Sequence, residues 1–282
     1  MKKILIFTIA TIFIVLMILI YLFVRLKTID TDTKHDWIKK NEIKSEWLGK
    51  IIFPGRLLSP GMPYSINVLA DSGRKEQLLR FELRNNEYWT DIIRNKTFRS
   101  EIDTKDQPPM RSEKWYRFSI LLPGDFPIED NRLVLVQWHG ADKWWLGEHN
   151  RSPVLSFRFI NGIFNIKLVH SSKCVIWNVD DIPSEKLFIT EDFTLNRWHD
   201  FVIEAKWTYE DDGFINIWWN NVQIVQYKGP VGYNDNVGPH FQFGLYRDGT
   251  SKTYVSYMRN ILTGNSANEI AFNMNITETN IK

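Results

Sequence analysis

The chain has 282 residues and a formal net charge of +2, with 35 lysines and arginines against 33 aspartates and glutamates. This balance provides no strongly basic surface, so it gives no support to nucleic-acid binding. The only cysteine, Cys174, excludes an intrachain disulfide framework and a cysteine-cluster zinc site. The aromatic content is high, with 12 Trp, 10 Tyr and 18 Phe.

The N-terminal segment is apolar from Ile4 to Val24, with basic residues on both sides. About 20 apolar residues span a bilayer as a helix, and no small-residue cleavage site is present. We therefore predict an uncleaved signal anchor within residues 1–27, which crosses the membrane through residues 4–24, and a linker at 28–50. We expect the following domain to lie on the exported side, periplasmic or extracellular. A membrane-tethered cytoplasmic domain is the alternative.

The rest of the chain alternates short β-patterned segments with turn residues and contains no long amphipathic helix. This pattern is typical of an antiparallel sandwich or jelly roll, which we place at residues 51–264. Residues 57–67 are predicted as loop, and the polar tail 265–282 frays or adds an edge strand at 270–274. The predicted strands are 78–83, 97–102, 115–122, 134–139, 154–160, 164–169, 198–207, 214–219, 222–227, 241–246 and 254–262.

Two of these strands carry polar residues that share a face, because side chains two residues apart on a strand point the same way. Gln137 and His139 point together, while Trp138 faces the opposite side. Arg99 and Glu101 pair in the same manner. Such residues form a candidate polar site, although hydrogen-bonded core groups and surface ion pairs produce the same pattern.

A third strand separates a polar and an apolar face more clearly. Phe241, Phe243 and Leu245 form the core face. The other face presents Gln242, Gly244 and Tyr246. A glycine inside a strand often marks the close approach of a ligand or of another backbone, and Tyr246 is also compatible with a hydrogen-bonded structural tyrosine.

Taken together, an R-x-E strand, a Q-x-H strand and a late strand that ends in G-x-Y resemble the jelly-roll polysaccharide lyases. This superfamily includes heparin lyase I, glucuronan lyase and the jelly-roll alginate lyases. The likeness covers about residues 72–262, including 114–123 and 231–235, and it is greatest to the glucuronan and heparin lyases. The resemblance implies an all-β, concanavalin-like antiparallel jelly roll with these polar residues on its concave sheet.

The resemblance also implies β-elimination on a polysaccharide that contains uronic acid. Arg99 and Gln137 would neutralise the uronate carboxylate, and His139 and Tyr246 would transfer protons. Relatives often have lysine at the position of Gln242, and alginate lyases have a second arginine at that of Asp103. We further expect an acidic polysaccharide as partner and a monomeric domain. The predicted substrate-binding residues are Gln242, Glu101, Trp138, Trp144, Trp145 and Arg247, of which Trp144 and Trp145 suit stacking on sugar rings.

Two other functions remain compatible with the sequence. A jelly-roll glycoside hydrolase needs two suitably spaced carboxylates, which Glu101, Asp103 and Asp106 resemble. A non-catalytic glycan-binding module with a decayed site is suggested by Gln242. The lyase chemistry requires no cofactor and no metal ligand is predicted, while structural calcium is compatible with 211–213 and 234–236. Both segments also suit ordinary turns.

Overall fold

The computed structural model describes residues 14–20, 56–70, 77–90, 96–104, 107–143, 146–148, 150–178, 182 and 184–272. Residues 14–20 form a short helix, and no helix in the described ranges is long and apolar enough to span a bilayer. The predicted transmembrane helix at 4–24 is therefore not supported. Most of that segment and the whole predicted linker at 28–50 lie outside the described residues, and the orientation of the domain stays a prediction.

Fifteen β-strands form in the described part of the chain. Most show the alternation of apolar and polar side chains that buries one face of a sheet. The strands are β1 Arg56–Leu58, β2 Ile66–Ala70, β3 Gln77–Leu83, β4 Trp89–Thr90, β5 Lys96–Asp103, β6 Glu113–Leu121, β7 Leu133–His139, β8 Leu155–Ile160, β9 Ile163–Val169, β10 Ser184–Thr190, β11 His199–Lys206, β12 Phe214–Trp219, β13 Val222–Lys228, β14 His240–Arg247 and β15 Tyr254–Gly264.

The strands form two antiparallel sheets that pack as a sandwich. The first sheet has the order β1-β5-β14-β7-β8-β9-β10, and β4 also pairs with β5. The second has the order β13-β12-β11-β6-β15-β3-β2. Sequence-distant strands are neighbours in both sheets, so this all-β sandwich is consistent with the predicted jelly roll. The central strands β5, β14 and β7 come from three separate parts of the chain.

An aromatic core fills the space between the sheets. Trp138 of β7 stacks on Phe241 of β14 with ring centroids 5.0 Å apart, and Tyr116 of β6 meets Trp138 edge-on at 5.1 Å. Trp138 is fully buried. Burial of such large rings contributes much of the stability of the sandwich, and it fixes which face of β7 and β14 points away from the core.

All eleven strands predicted from the sequence are present, with ends within two residues of those observed. Four further strands, β1, β2, β4 and β10, were not predicted. The loop predicted at 57–67 is therefore wrong at both ends, where β1 and β2 pair with β5 and β3. β1 and β4 are too short to show alternation, so their sequences carry no strand signal. They are strands because their backbones pair with β5.

The C-terminal segment also differs from its prediction. Instead of an edge strand, Asn268–Ile270 forms a short 3-10 helix, and Ala271 adopts a left-handed conformation that ends it. Ile270 and Phe272 pack against Trp115 and Trp218 on the outer face of the second sheet. Arg117 donates to the carbonyl of Ala271 at 2.7 Å. The described residues 268–272 therefore cover a sheet face rather than extend its edge.

Candidate active site

Strands β5, β14 and β7 bring the three predicted polar motifs side by side. In the strand register, Gln242 lies opposite Asp103 on one side and Gln137 on the other, and Tyr246 lies opposite Arg99. The face of the first sheet that points away from the core is called the site face below. It carries Arg99, Glu101, Gln137, His139, Gln242 and Tyr246, so the four predicted catalytic residues share one face.

Three buried polar side chains form the floor of the site face. Glu101 is 0% exposed, Gln137 1% and Gln242 4%. Nε2 of Gln137 donates to Glu101 Oε1 at 2.8 Å and to Gln242 Oε1 at 3.0 Å. Both amide hydrogens of Gln137 are therefore used within the protein. This fixes the Gln137 side chain, and it makes the amide a supporting group beneath the more accessible residues.

Glu101 is a buried acid beside a positive charge. Desolvation raises the pKa of Glu101 to about 7, although Arg99 and the hydrogen bond from Gln137 both act in the opposite direction. Nη1 of Arg99 lies 3.7 Å from Oε2 of Glu101. The charge that balances Arg99 therefore changes near neutral pH.

Three buried polar atoms without a hydrogen bond lie at the same place. Oε2 of Glu101, Oε1 of Gln137 and Nε of Arg99 are buried and make no hydrogen bond within the described structure. Buried polar atoms are usually paired, so three neighbouring exceptions are unusual. They belong to the floor of the site face and are themselves closed to solvent.

Tyr246 lies between two arginines. Its ring centroid is 4.2 Å from the guanidinium carbon of Arg99 and 4.6 Å from that of Arg132. Arg132 is held by two hydrogen bonds to Asp248, at 2.6 Å and 3.3 Å. Burial opposes the charge of Arg132, yet Asp248 and Tyr246 raise its pKa. The paired cations restrict the ring and place positive charge beside its hydroxyl.

The opposite end of the site face carries two histidines. His139 and His240 are cross-strand partners with ring centroids 5.7 Å apart. Nδ1 of His139 lies 3.0 Å from the carbonyl oxygen of Gly140, so Nδ1 donates to that carbonyl and Nε2 is the ring nitrogen left for other partners. His240 Nε2 accepts from Gln242 at 2.6 Å, and burial lowers the pKa of His240 to about 4. His240 is therefore neutral at physiological pH.

A glycine is needed at position 244 because of the backbone conformation and the neighbouring strand, and not to make room for a ligand. Its φ is +135°, and it lies where the pairing of β14 with β7 shifts register. A Cβ at this position would be 2.3 Å from the carbonyl oxygen of Ser100 and 2.9 Å from Cα of Glu101. Of the two interpretations of this glycine, the structure supports close approach of another backbone, that of β5.

The predictions that Trp138 and Arg247 bind substrate are wrong. Trp138 is fully buried between the sheets, as its position between Gln137 and His139 requires. Arg247 is 1% exposed on the core side of β14 and donates to the carbonyl of Arg84 at 2.8 Å. Neither side chain lies on the site face. The predicted platform residues Trp144 and Trp145 lie outside the described residues.

Sequence reasoning missed Arg132 and His240. His240 has the same alternation as Gln242, Gly244 and Tyr246, so the strand pattern could have found it one step earlier. Arg132 precedes β7 and belongs to no periodic pattern. Its place beside Tyr246 depends on its contact with Asp248, which lies 116 residues further along the chain.

An ionic cluster anchors the loop that follows His139. Asp235 accepts two hydrogen bonds from Arg151, at 2.9 Å and 3.1 Å, and one from the backbone nitrogen of Ala141 at 3.2 Å. Gly140 lies directly against this cluster, where a Cβ would be 2.9 Å from Oδ2 of Asp235. The exit of β7, and with it His139, is therefore held in a fixed position.

The two segments considered for calcium have other partners. Asp235 is bound by Arg151 as described, and Asp212 pairs with Lys206. These cations occupy carboxylate oxygens that calcium would need. Within the described ranges, no three His, Cys, Asp or Glu side chains are grouped as metal ligands.

A family model described as "Polysaccharide lyase" matches residues 31–262. Among solved structures, the endo-β-1,4-glucuronan lyase from the fungus Trichoderma reesei aligns with a TM-score of 0.57 and 16% identity, over 77% of this chain and 90% of that one. Alginate lyase AlgAT5 from polysaccharide lyase family 7 aligns with a TM-score of 0.51 and 14% identity, over 74% and 93% of the two chains. Alginate lyase A1-II′ aligns with a TM-score of 0.52 and 12% identity, over 74% and 93%.

At these identities the structural matches establish the fold alone, and they support the resemblance to jelly-roll lyases. The structures named here include no heparin lyase, so that part of the resemblance stays a prediction. No curated protein sequence matched the chain. Because the family model covers more than half of the sequence, the chain belongs to the polysaccharide lyase family and is a lyase enzyme.

Proposed function

We propose that this enzyme cleaves a uronic-acid-containing polysaccharide by β-elimination. The observation that carries the proposal is an unbroken chain of contacts along the site face. It runs from Tyr246 through Arg99, Glu101, Gln137, Gln242 and His240 to His139. The similarity to glucuronan and alginate lyases adds support for a uronate polymer as substrate.

In this reaction a base removes the proton from C5 of a uronic acid residue. The electrons form the C4–C5 double bond, the bond from C4 to the linking oxygen breaks, and that oxygen takes a proton. Negative charge accumulates on the uronate carboxylate as the C5 proton leaves. A donor beside this carboxylate therefore stabilises the transition state more than the ground state.

Arg99 is the group best placed to neutralise the carboxylate. Its side chain is 15% exposed, so part of it is accessible on the site face. Gln137 holds Glu101, and Glu101 balances Arg99, so the floor orients the guanidinium. Here Gln137 acts through these neighbours, since both of its amide hydrogens are already donated.

His139 and Tyr246 transfer the protons. They lie at opposite ends of the contact chain, and the proposal places the sugar between them. Tyr246 protonates the leaving oxygen. Where the C5 hydrogen and the leaving oxygen lie on opposite faces of the sugar, Nε2 of His139 is the base. Where they lie on the same face, the oxygen of Tyr246 serves both steps.

Gln242 favours an adapted site over a decayed one. Its amide oxygen accepts from Gln137 and its amide nitrogen donates to His240, so the buried group has a partner at each end. The hydrolase alternative has less support. Asp103 is held by Arg56 at 3.0 Å, and Asp106 lies outside the described residues.

The test is incubation of the protein with polyglucuronate, polymannuronate and polyguluronate while ultraviolet absorbance is recorded. β-Elimination creates a double bond conjugated to the carboxylate, and the absorbance rises. Tyr246→Phe should lower the rate by about 10²–10⁴-fold, because it keeps the ring between the arginines and removes only the hydroxyl. New reducing ends without absorbance would indicate hydrolysis, and binding without cleavage would indicate a glycan-binding module.

A further inference from the structure

A row of cations crosses the site face beside the proposed catalytic centre. Strand pairing places Ser156 of β8 opposite Gln137, Lys167 of β9 opposite Ser156, and Lys186 of β10 opposite Lys167. Arg158 follows two residues after Ser156, and its Nε donates to Ser156 Oγ at 2.8 Å. These positions lie on the strands β8, β9 and β10, beyond the motifs discussed above.

The cations point away from the core. On β8, Phe157 is fully buried between the sheets, so its neighbour Arg158 lies on the opposite face. On β9, Ile166 and Leu168 are fully buried, so Lys167 between them lies on the site face. Sheet register therefore connects the cations to the floor formed by Gln137.

Lys167 is close enough to Arg158 and Lys186 for their charges to act on it. Burial lowers the pKa of Lys167, and Arg158 and Lys186 lower it further. Burial also lowers the pKa of Arg158, with a contribution from Arg132. Within the described part of the chain, Arg158, Lys167 and Lys186 form no ion pair. Like charges that lack an acidic partner are stabilised when an anion binds among them.

The opposite side of the centre has a different charge balance. There the register continues from Gln242 to Asp103 and then to Arg56, and this arginine is paired with Asp103 at 3.0 Å. The β1 side therefore presents an arginine that is paired with an aspartate. On the β8–β10 side the three cations form no ion pair within the described residues, and Asp248 is the one acidic group that acts on Arg158. A negatively charged polymer that crosses the sheet would therefore bind more strongly on the β8–β10 side.

We propose that Arg158, Lys167 and Lys186 form a subsite that binds the carboxylates of two consecutive uronic acid residues on one side of the cleavage point. Neighbouring strands lie about 4.8 Å apart, so β8 to β10 spans about 10 Å. That length is similar to two residues of an extended 1,4-linked sugar chain. The inference rests on the proposed function, because it assumes that the uronate chain crosses the strands.

The test compares oligoglucuronates of two to eight residues as ligands of the full chain. Binding is measured by calorimetry in a Tyr246→Phe background, which slows cleavage, and kcat/KM is measured with Tyr246 intact. Lys167→Gln and Lys186→Gln should each weaken binding of the longer oligomers about two- to fivefold. The double variant should weaken it by roughly tenfold, with a smaller dependence on salt.

Disaccharide binding should be weakened less than binding of the longer oligomers, because a disaccharide can bind at the catalytic centre without reaching Lys167 or Lys186. Lys228→Gln is the matched control, since Lys228 is an exposed lysine on the second sheet. A double variant that binds every oligomer like the control would overturn the subsite.

The two proposals fail in different ways. Lysine-dependent binding without any unsaturated product would retain the subsite and refute β-elimination. If unsaturated product forms but neither lysine substitution changes the rate or the affinity, β-elimination is retained and the subsite is refuted. Failure of the unsubstituted protein to bind polyglucuronate or alginate would overturn both.

Discussion

Replacing Glu101 with glutamine should stabilise the protein at alkaline pH while leaving its stability at acidic pH nearly unchanged. Glu101 is 0% exposed, and its side chain is bound by Gln137 at 2.8 Å. Glutamine has almost the same shape, and its side-chain oxygen can accept the same hydrogen bond. The substitution therefore removes the ionisation of a buried group and little else.

The size of the expected change in the free energy of unfolding follows from the pKa of Glu101. Burial raises the pKa of Glu101 from 4.5 to about 7. Below about pH 4.5, the folded and unfolded chains both hold the proton. Between pH 4.5 and 7 the unfolded chain releases it first, so the free energy of unfolding falls as pH rises, and the loss is complete above pH 7. At about 1.4 kcal/mol for each pKa unit, the loss is about 3 kcal/mol.

The assay is equilibrium unfolding by denaturant at pH 4 and pH 8. Glu101→Gln should match the parent protein at pH 4 and exceed its free energy of unfolding by about 3 kcal/mol at pH 8. Glu191→Gln is the control, because Glu191 is exposed. A stability difference that is equal at both pH values would refute the reasoning. Turnover should fall, since the substitution also removes the negative charge beside Arg99.

Three further substitutions test the supporting contacts. Asp248→Asn should lower turnover roughly tenfold by loosening Arg132, with less than about 1 kcal/mol lost in denaturant unfolding because Asp248 is exposed. Gln242→Lys should destabilise the fold by about 1–3 kcal/mol, since a buried lysine cannot accept the hydrogen bond that Gln242 accepts; calorimetry should then show no tighter binding of polyuronates. Gly244→Ala should lose about 3 kcal/mol through its positive φ and its clash with β5, whereas Gly124→Ala, with a nearest contact of 3.8 Å, should be almost neutral.

Strands and their buried faces could be predicted from the sequence where polar and apolar side chains alternate regularly. β14 alternates phenylalanines and leucine with polar groups, and its two faces were assigned correctly from that pattern alone. The same alternation places Arg247 with Phe241, Phe243 and Leu245, so its burial was predictable and the substrate-binding assignment was avoidable. The strand pattern could likewise have included His240.

Other features depend on contacts between distant parts of the chain. β1 and β4 have three and two residues, too few for a periodic signal, and they are strands because β5 offers them an edge. Arg132 becomes part of the candidate site through Asp248. The raised pKa of Glu101 requires complete burial beneath its neighbours, and a single R-x-E motif on an exposed strand would have produced no such effect.

The packing of residues 268–272 matters for any attempt to prepare the domain alone. The end of β15 suggests a C-terminal boundary at residue 264. That boundary would remove Ile270 and Phe272, which cover the stacked rings of Trp115 and Trp218. The second sheet would then expose two indole rings, a surface prone to self-association. Protein ended at residue 272 should remain soluble at concentrations where protein ended at residue 264 precipitates.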